Sequence, residues 1–492
     1  MIHFLHISLH SACSLLMPLL LTSILTGCNN CHEVRMQAVN SWKQGALEAA
    51  SEQISEALEL ADKKNRCLVG LDKAMIDLSH GRAAEAEAAF RRIHPQLEYL
   101  SQTDLTEELE SVLTDATARA WRAHEYEGTM LLNNVLLASL LSDGFDSFAW
   151  SIQLEQHLRE LQHPVQLTAH EAQAEETDSS APDSDDSAQT ESPSLSEAAG
   201  SDCPSAAFAS YLCGLTQSEY PSRAAESRQA IQQAAAWSTD SRTFDDSLEV
   251  PAGLSCAPGN GAVHVIVYRG VAPQWQSVSA EPTQTALLLA DRILSATNKY
   301  SLPPTIMALE IAEPEQRPTF LATPCRLQAA VDDAAAATLD FHLVADLHDS
   351  AEQAALRSRD QQLAEAICRR VVKKAVVYSA KELADVEQGS MTEVGFDILG
   401  IVWEALEEAD TRAWNSLPGQ ILTAATELPA GDHNVRFTAP DGTFHPVPVS
   451  VESGKNSVIL VIMPNDDILS ILCNRSAGNL SAPAAKGRIQ LQ

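Results

Sequence analysis

The stretch Ala74-Met-Ile-Asp-Leu78-Ser-His-Gly81-Arg-Ala-Ala-Glu85-Ala86-Glu-Ala-Ala-Phe90 reads as two helices folded back on each other. Apolar side chains recur at three and four spacing on both sides of Gly81, as on two amphipathic faces. Gly81 tolerates the left-handed backbone that a tight interhelical turn needs. Ala74 and Ala86 let the helix axes approach closely, and Phe90 fills the groove that this approach leaves. A helical hairpin is expected.

The same periodicity runs outward from Glu33 to His163, with Leu58, Leu60, Leu68, Leu71, Met75 and Leu78 at core-facing positions. A second copy is legible at Leu137-x-x-x-Leu141-x-x-Gly144-x-x-x-x-Ala149. Both copies resemble tetratricopeptide hairpins. Their glycines lie 63 residues apart, whereas one regular period is about 34. Residues 28–168 are therefore expected to form an irregular, tetratricopeptide-like helical domain, with an ordinary helical bundle as the alternative.

The chain then changes character. No Lys or Arg occurs between Arg159 and Arg223, and the acidic, Ser- and Pro-rich segment over 169–205 contains too little apolar surface to offset chain entropy. It reads as a disordered acidic insert. No calcium-loop spacing organises its carboxylates. Helical periodicity returns from Phe208 to Trp237, giving a further hairpin over 206–240.

Strand signals begin after Gly259-Asn260-Gly261, with Val263-His-Val-Ile-Val-Tyr268 as the clearest run. Ile306–Ile311 and Thr338–Val344 are weaker strands. Leu356–Leu383 and Phe396–Trp414 read as helices, which makes 255–415 a mixed α/β domain. Leu422–Leu428, His433–Phe437, His445–Val451 and Val458–Met463 are short strands punctuated by Pro429-Ala-Gly431, Asp441-Gly442 and Ser453-Gly454. They suggest a small β-sandwich-like region over 416–464. Residues 465–492 read as a flexible tail. The fold class is α+β: N-terminal tetratricopeptide-like α-helical hairpins, a mixed α/β region and a small C-terminal β-sandwich.

Length and composition agree with a globular chain of several domains: 492 residues, 45% of them hydrophobic. The 33 Lys and Arg against 66 Asp and Glu leave a formal charge of -33. Such a field repels phosphate backbones, so no nucleic acid partner is expected.

Residues 1–27 read as a secretory signal, with an apolar core from Leu15 to Leu25 interrupted at Pro18 and no Lys or Arg before it. Leu25-Thr26-Gly27-Cys28 resembles the lipobox of bacterial lipoproteins, which implies cleavage before Cys28 and acylation of its thiol. Several acyl chains anchor a protein stably. Asn29, where an Asp would imply retention at the inner membrane, implies the periplasmic face of the outer membrane. Cys28-Asn-Asn-Cys31-His32 also matches the haem-attachment pattern C-x-x-C-H, but an acylated Cys28 cannot form a thioether. Beyond Cys13 and Cys28 remain Cys31, Cys67, Cys203, Cys213, Cys256, Cys325, Cys368 and Cys473. Their spacing favours no pairing and no zinc site.

Chemistry-bearing motifs are sparse. Gly454-Lys455-Asn456-Ser457 lacks the upstream glycine of a phosphate loop, and His170-Glu171 lacks the second His of a zinc-protease helix. Asp340, His342, Asp346 and His348 are close in sequence, yet match no metal-site spacing. No catalytic residue, cofactor or metal is expected. One helix stands out: Arg369, Arg370, Lys373 and Lys374 fall on one side, with Ile367, Val371, Ala375 and Tyr378 opposite. In so acidic a chain this basic face is a candidate interaction surface, weighed against a solvated face with ion pairs.

Together these parts resemble an uncharacterised family of bacterial lipoproteins with a tetratricopeptide-like N-terminal half. The resemblance rests on Tyr126-Glu127, Asn134 and Leu136-Leu137; on Tyr211-Leu212 and Gly214-Leu215; and on Val263 to Pro273 with Gly270-Val-Ala-Pro273. Its most specific stretch is Ala409-Asp-Thr-Arg412-Ala-Trp414-x-x-Leu417-Pro418, continuing to Leu428-Pro429-Ala-Gly431-x-His433. The last segment looks like a PEGA-type β-sandwich, a non-catalytic surface module. The resemblance implies an envelope location and protein binding, with no activity to carry over. The expected function is a lipid-anchored, non-enzymatic scaffold binding an envelope protein or peptide. The alternative is an accessory or regulator of cell-wall synthesis that touches peptidoglycan directly, and a hydrolase comes third.

Overall fold

The computed structural model describes residues 30–101, 120–162, 204–238, 250–296, 302, 308–331, 338–383 and 409–476. Among the described residues ten α-helices and eleven strands follow in α+β order, helical hairpins first and strands after.

The helical half contains α1 (30–43), α2 (Leu47–Leu60), α3 (Arg66–Ser79), α4 (Ala83–Ser101), α5 (Glu125–Leu141), α6 (Ser147–Gln162), α7 (Pro204–Gln217) and α8 (Ala224–Trp237). Gly81 joins α3 to α4 at φ 80. Its N–H bonds the Leu78 carbonyl at 2.9 Å and the Arg82 N–H bonds that of Asp77 at 2.9 Å, closing a Schellman turn. Ala74, Ala86 and Phe90 are fully buried, each in the expected role. Gly144, at φ 70, turns α5 into α6. In the α7–α8 hairpin, a Cβ on Gly214 would lie 2.6 Å from Ile231, so only glycine permits that approach.

The strands are β1 (Asn260–Arg269), β2 (Trp275–Ala280), β3 (Leu309–Pro314), β4 (Gln328–Val331), β5 (Thr338–Leu339), β6 (His342–Asp346), β7 (Gln420–Pro429), β8 (Gly431–Thr438), β9 (Phe444–Val451), β10 (Asn456–Met463) and β11 (Ser470–Cys473). Helices α9 (Gln284–Ala296) and α10 (Leu347–Leu383) lie among them. A five-stranded sheet has the order β11-β10-β1-β7-β6, a four-stranded sheet β5-β4-β8-β9, and β2 pairs with β3. β1 runs parallel to β10 and antiparallel to β7.

Alternation along β1 explains the layering. Val263, Val265 and Val267 join Ile459, Val461 and Met463 against Val435, Phe437, Val447 and Val449 of the four-stranded sheet. Ile266 and Tyr268, with Val458, Leu460 and Ile462, face the helices. Helices, five-stranded sheet and four-stranded sheet thus form three layers. The near-continuous apolar runs of β1 and β10 follow from burial on both faces.

Four boundaries differ from the sequence reading. The sandwich is not confined to 416–464, because β7 and β10 flank β1 and β8 pairs with β4. A four-strand unit alone would leave one apolar face of β10 uncovered. The tail from 465 carries β11, held to β10 with Ile468 and Leu472 buried. The helix expected over Phe396–Trp414 does not extend through 409–414, which is irregular, while 396–408 lies outside the described residues. Of the acidic insert, Pro204 and Ser205 belong to α7, and 169–203 falls outside the described residues.

Candidate functional site

Residues 409–419 form an irregular strap held against the helical half by polar side chains that those helices bury. Arg35 of α1 and Asp72 of α3 pair at 2.6 Å, both almost wholly buried. The same guanidinium donates to the Ala413 carbonyl at 2.6 Å. Asp72 accepts from the Ser416 N–H at 3.1 Å and its hydroxyl at 2.6 Å. Glu127 of α5 accepts from the Trp414 N–H at 2.6 Å and the His124 N–H at 2.7 Å. The Trp414 indole lies 5.9 Å from the Phe90 ring and donates to the Ser416 hydroxyl at 3.0 Å. Buried charges persist only when paired and hydrogen-bonded, and here the strap's backbone completes that requirement.

Burial pushes the Glu127 carboxyl up to about 8, against the pull of the two N–H groups and Arg35. Burial likewise lowers His124 to about 4, with Asp410 opposing. The neutral His124 ring stacks on Trp275 at 4.1 Å and on Tyr126 at 5.8 Å.

Beside this stack opens a cleft of about 300 Å³, bounded by α10, β3, the strap and residues 122–124. Its charged lining is Arg122, Arg369, Arg412, Glu310, Glu365 and Asp410. Arg412 pairs with Asp410 at 2.6 Å and donates to Asn65 at 2.9 Å. Arg369 approaches Glu365 at 3.8 Å. Three guanidinium groups and three carboxylates around one opening suit a ligand bearing both charges, such as a polar peptide.

The expected basic face is rearranged. Arg369 is only 5% exposed and points into the cleft rather than into solvent. Arg370 donates to the Ala308 carbonyl at 3.1 Å. The side chains of Lys373 and Lys374 lie outside the described residues, as does Cys28. The physical reason is that α10 is covered from two directions. α9 packs on Leu363, Ala364, Ile367 and Cys368, and β3 lies along another side. A row of bases at helical spacing cannot all stay outside such a helix.

Asp340, His342, Asp346 and His348 are not brought together as ligands. A bulge between Leu343 and Ala345 breaks the alternation. Asp346 instead accepts the His348 N–H at 3.0 Å and the Gln420 amide at 2.9 Å. Among the described residues no three metal-ligating side chains gather. Cys31 of the C-x-x-C-H pattern is buried, with its thiol on the Ala57 carbonyl at 3.5 Å. Cys67, Cys213, Cys256, Cys325, Cys368 and Cys473 are free thiols. Trp414 is buried in the core, and Arg412 pairs with Asp410.

The residues behind the family resemblance meet at the helix–sheet junction. Glu127 holds Trp414, Tyr268 donates to Asn134 at 3.0 Å, and Tyr211 bonds His264 at 2.7 Å. Sequence reasoning missed Arg35, Asp72, Arg122 and His124. For Arg35 and Asp72 a signal existed: each is a charge inside an otherwise apolar helical stripe. Compared with protein-family models, curated proteins and solved structures, the chain finds no match. Among the described residues no helix is long and apolar enough to cross a membrane.

Proposed function

We propose that this chain is a lipid-anchored envelope protein, acylated at Cys28, that acts as a non-enzymatic scaffold for another envelope protein or peptide. The observation that carries this reading is the mixed-charge cleft beside His124. The strap is held on α1, α3 and α5 through Arg35, Asp72 and Glu127, and the cleft beside it is the binding surface in this proposal. A peptide segment there exchanges water for salt bridges with Arg122 and Glu310 while its backbone lies along the strap.

The test is crosslinking in intact cells followed by mass spectrometry of what copurifies. One recurrent protein partner, reduced at least tenfold by Arg122→Gln with Glu310→Gln, supports the scaffold. A partner unaffected by those changes rules out the cleft. Glycan fragments as the sole product favour direct contact with the cell wall instead.

A further inference from the structure

The chain crosses from the four-stranded to the five-stranded sheet through Asp340 and Phe341 alone, since β5 ends at Leu339 and β6 begins at His342. A cavity of about 740 Å³ opens at this crossing. Sites for small molecules span about 300–1,000 Å³. None of its lining belongs to the cleft beside His124.

Six apolar side chains line the cavity. Leu321, Leu327, Leu339 and Leu422 are buried, and Phe341 and Leu343 are half-buried. The turn over Thr319–Ala322 that carries Leu321 is pinned from β1 and β7. Arg269 donates to the Phe320 and Thr323 carbonyls at 2.8 Å, and Gln420 donates to that of Leu321 at 3.0 Å. The wall is therefore preorganised, which lowers the ordering cost of binding.

The charges around this wall are unequal. Arg269 pairs with Asp466 at 3.0 Å, and Asp466 also meets the exposed Arg326 at 3.2 Å. Arg317 is held by Asp346 at 3.3 Å and by Asp349, both through Nη2. Asp340, exposed on the rim, makes no ion pair or hydrogen bond among the described residues. Arg269, Arg317 and Arg326 thus stand against Asp340, Asp346, Asp349 and Asp466, one carboxylate in excess. Glu352, acting on Asp349, adds to the same sign. Each base already has a carboxylate, and the one charge left over is negative.

We infer that this cavity binds a small amphipathic amine, its apolar body among the six side chains and its ammonium beside Asp340. Apolar burial supplies the affinity and the unpaired carboxylate selects the head. The charge of the whole chain, -33, favours the same head. The inference is independent of the cleft and of Cys28.

Three probes with one apolar body test it: 4-phenylbutylamine, 4-phenylbutanol and 4-phenylbutyrate, each titrated calorimetrically into the full chain. The amine should saturate a single site and bind about fivefold tighter than the alcohol, the gain of a well-formed exposed ion pair. The butyrate should bind weakest. Asp340→Asn should bring the amine down to the alcohol and leave the alcohol unchanged, with a urea midpoint like the parent's because the side chain is exposed. Phe341→Ala should weaken all three probes, whereas Glu48→Gln, exposed on α2, should change none. If Phe341→Ala does not fold, Asp340→Asn alone decides. Equal affinity for the three heads, tightest binding by the butyrate, parent-like amine binding by Asp340→Asn, or no saturable binding overturns the inference.

Discussion

Glu127 and Trp414, 287 residues apart in sequence, are joined by a 2.6 Å hydrogen bond from the Trp414 backbone N–H to the Glu127 carboxyl. The other Glu127 oxygen takes the His124 N–H, so one side chain ties the start of α5 to the strap.

Stability should respond to pH through this carboxyl. Its folded value of about 8 lies above the ordinary 4.5. The folded state therefore holds the proton more tightly, and its contribution is full below about 4.5 and lost as pH rises through 8. Glu127→Gln should unfold at a urea midpoint that changes less between pH 5 and pH 8 than the parent's. An identical slope in both proteins would remove the buried carboxyl as its cause. Glu127→Ala should cost about 2–4 kcal/mol, because two backbone N–H groups lose their acceptor.

Histidine acts in the opposite direction. Burial holds His264 at about 4 against an ordinary 6.5, with Asn456 opposing. Its contribution is full above 6.5 and is lost as pH falls towards 4. His264→Gln should narrow the difference in urea midpoint between pH 7 and pH 4.5. A variant as acid-sensitive as the parent would show that His264 stays neutral for no cost.

The Arg35–Asp72 pair should be strongly coupled. Arg35→Ala leaves a carboxylate at 0% exposure without its guanidinium partner, at a cost of about 3–5 kcal/mol. Adding Asp72→Asn should recover part of that loss, because the stranded charge disappears. A double variant as unstable as the sum of the singles would show that the two sites act independently.

Two glycines should behave differently towards alanine. Gly81 has open space where a Cβ would go, so Gly81→Ala meets only the left-handed backbone, about 1 kcal/mol. Gly214→Ala drives a methyl onto Ile231 and within 3.0 Å of the Ser227 carbonyl. Its cost should exceed 2 kcal/mol, as for overpacking at a rigid contact. Thermal unfolding of the two variants ranks them, and equal losses would show that α8 moves aside.

Local chemistry made the hairpins legible. Gly81, Ala74, Ala86 and Phe90 declare a turn and a close contact within one short window, and the structure uses each of them that way. The strap was not legible. Ala409-Asp-Thr-Arg-Ala-Trp414 alternates like the end of a helix, yet its backbone finds partners in Arg35, Glu127 and Trp121, far away in sequence. Arg369 shows the same limit. Spacing groups it with Arg370 on one face, but which face stays wet depends on where α9 and β3 come to rest. The cleft draws its charges from three distant segments, and no single window contains it.

The placement of β1 between β7 and β10 has a bearing on biosynthesis. Residue Ile266 of β1 waits for Thr423 on one side and Leu460 on the other. While the chain is still emerging, the central strand has no neighbour, and the sheet-facing sides of the hairpins stay uncovered. Such non-local pairing is slow and exposes apolar surface to aggregation. A nascent chain stalled before Asn456 would be the aggregation-prone species, and a holding chaperone would have to shelter it until the last strands arrive.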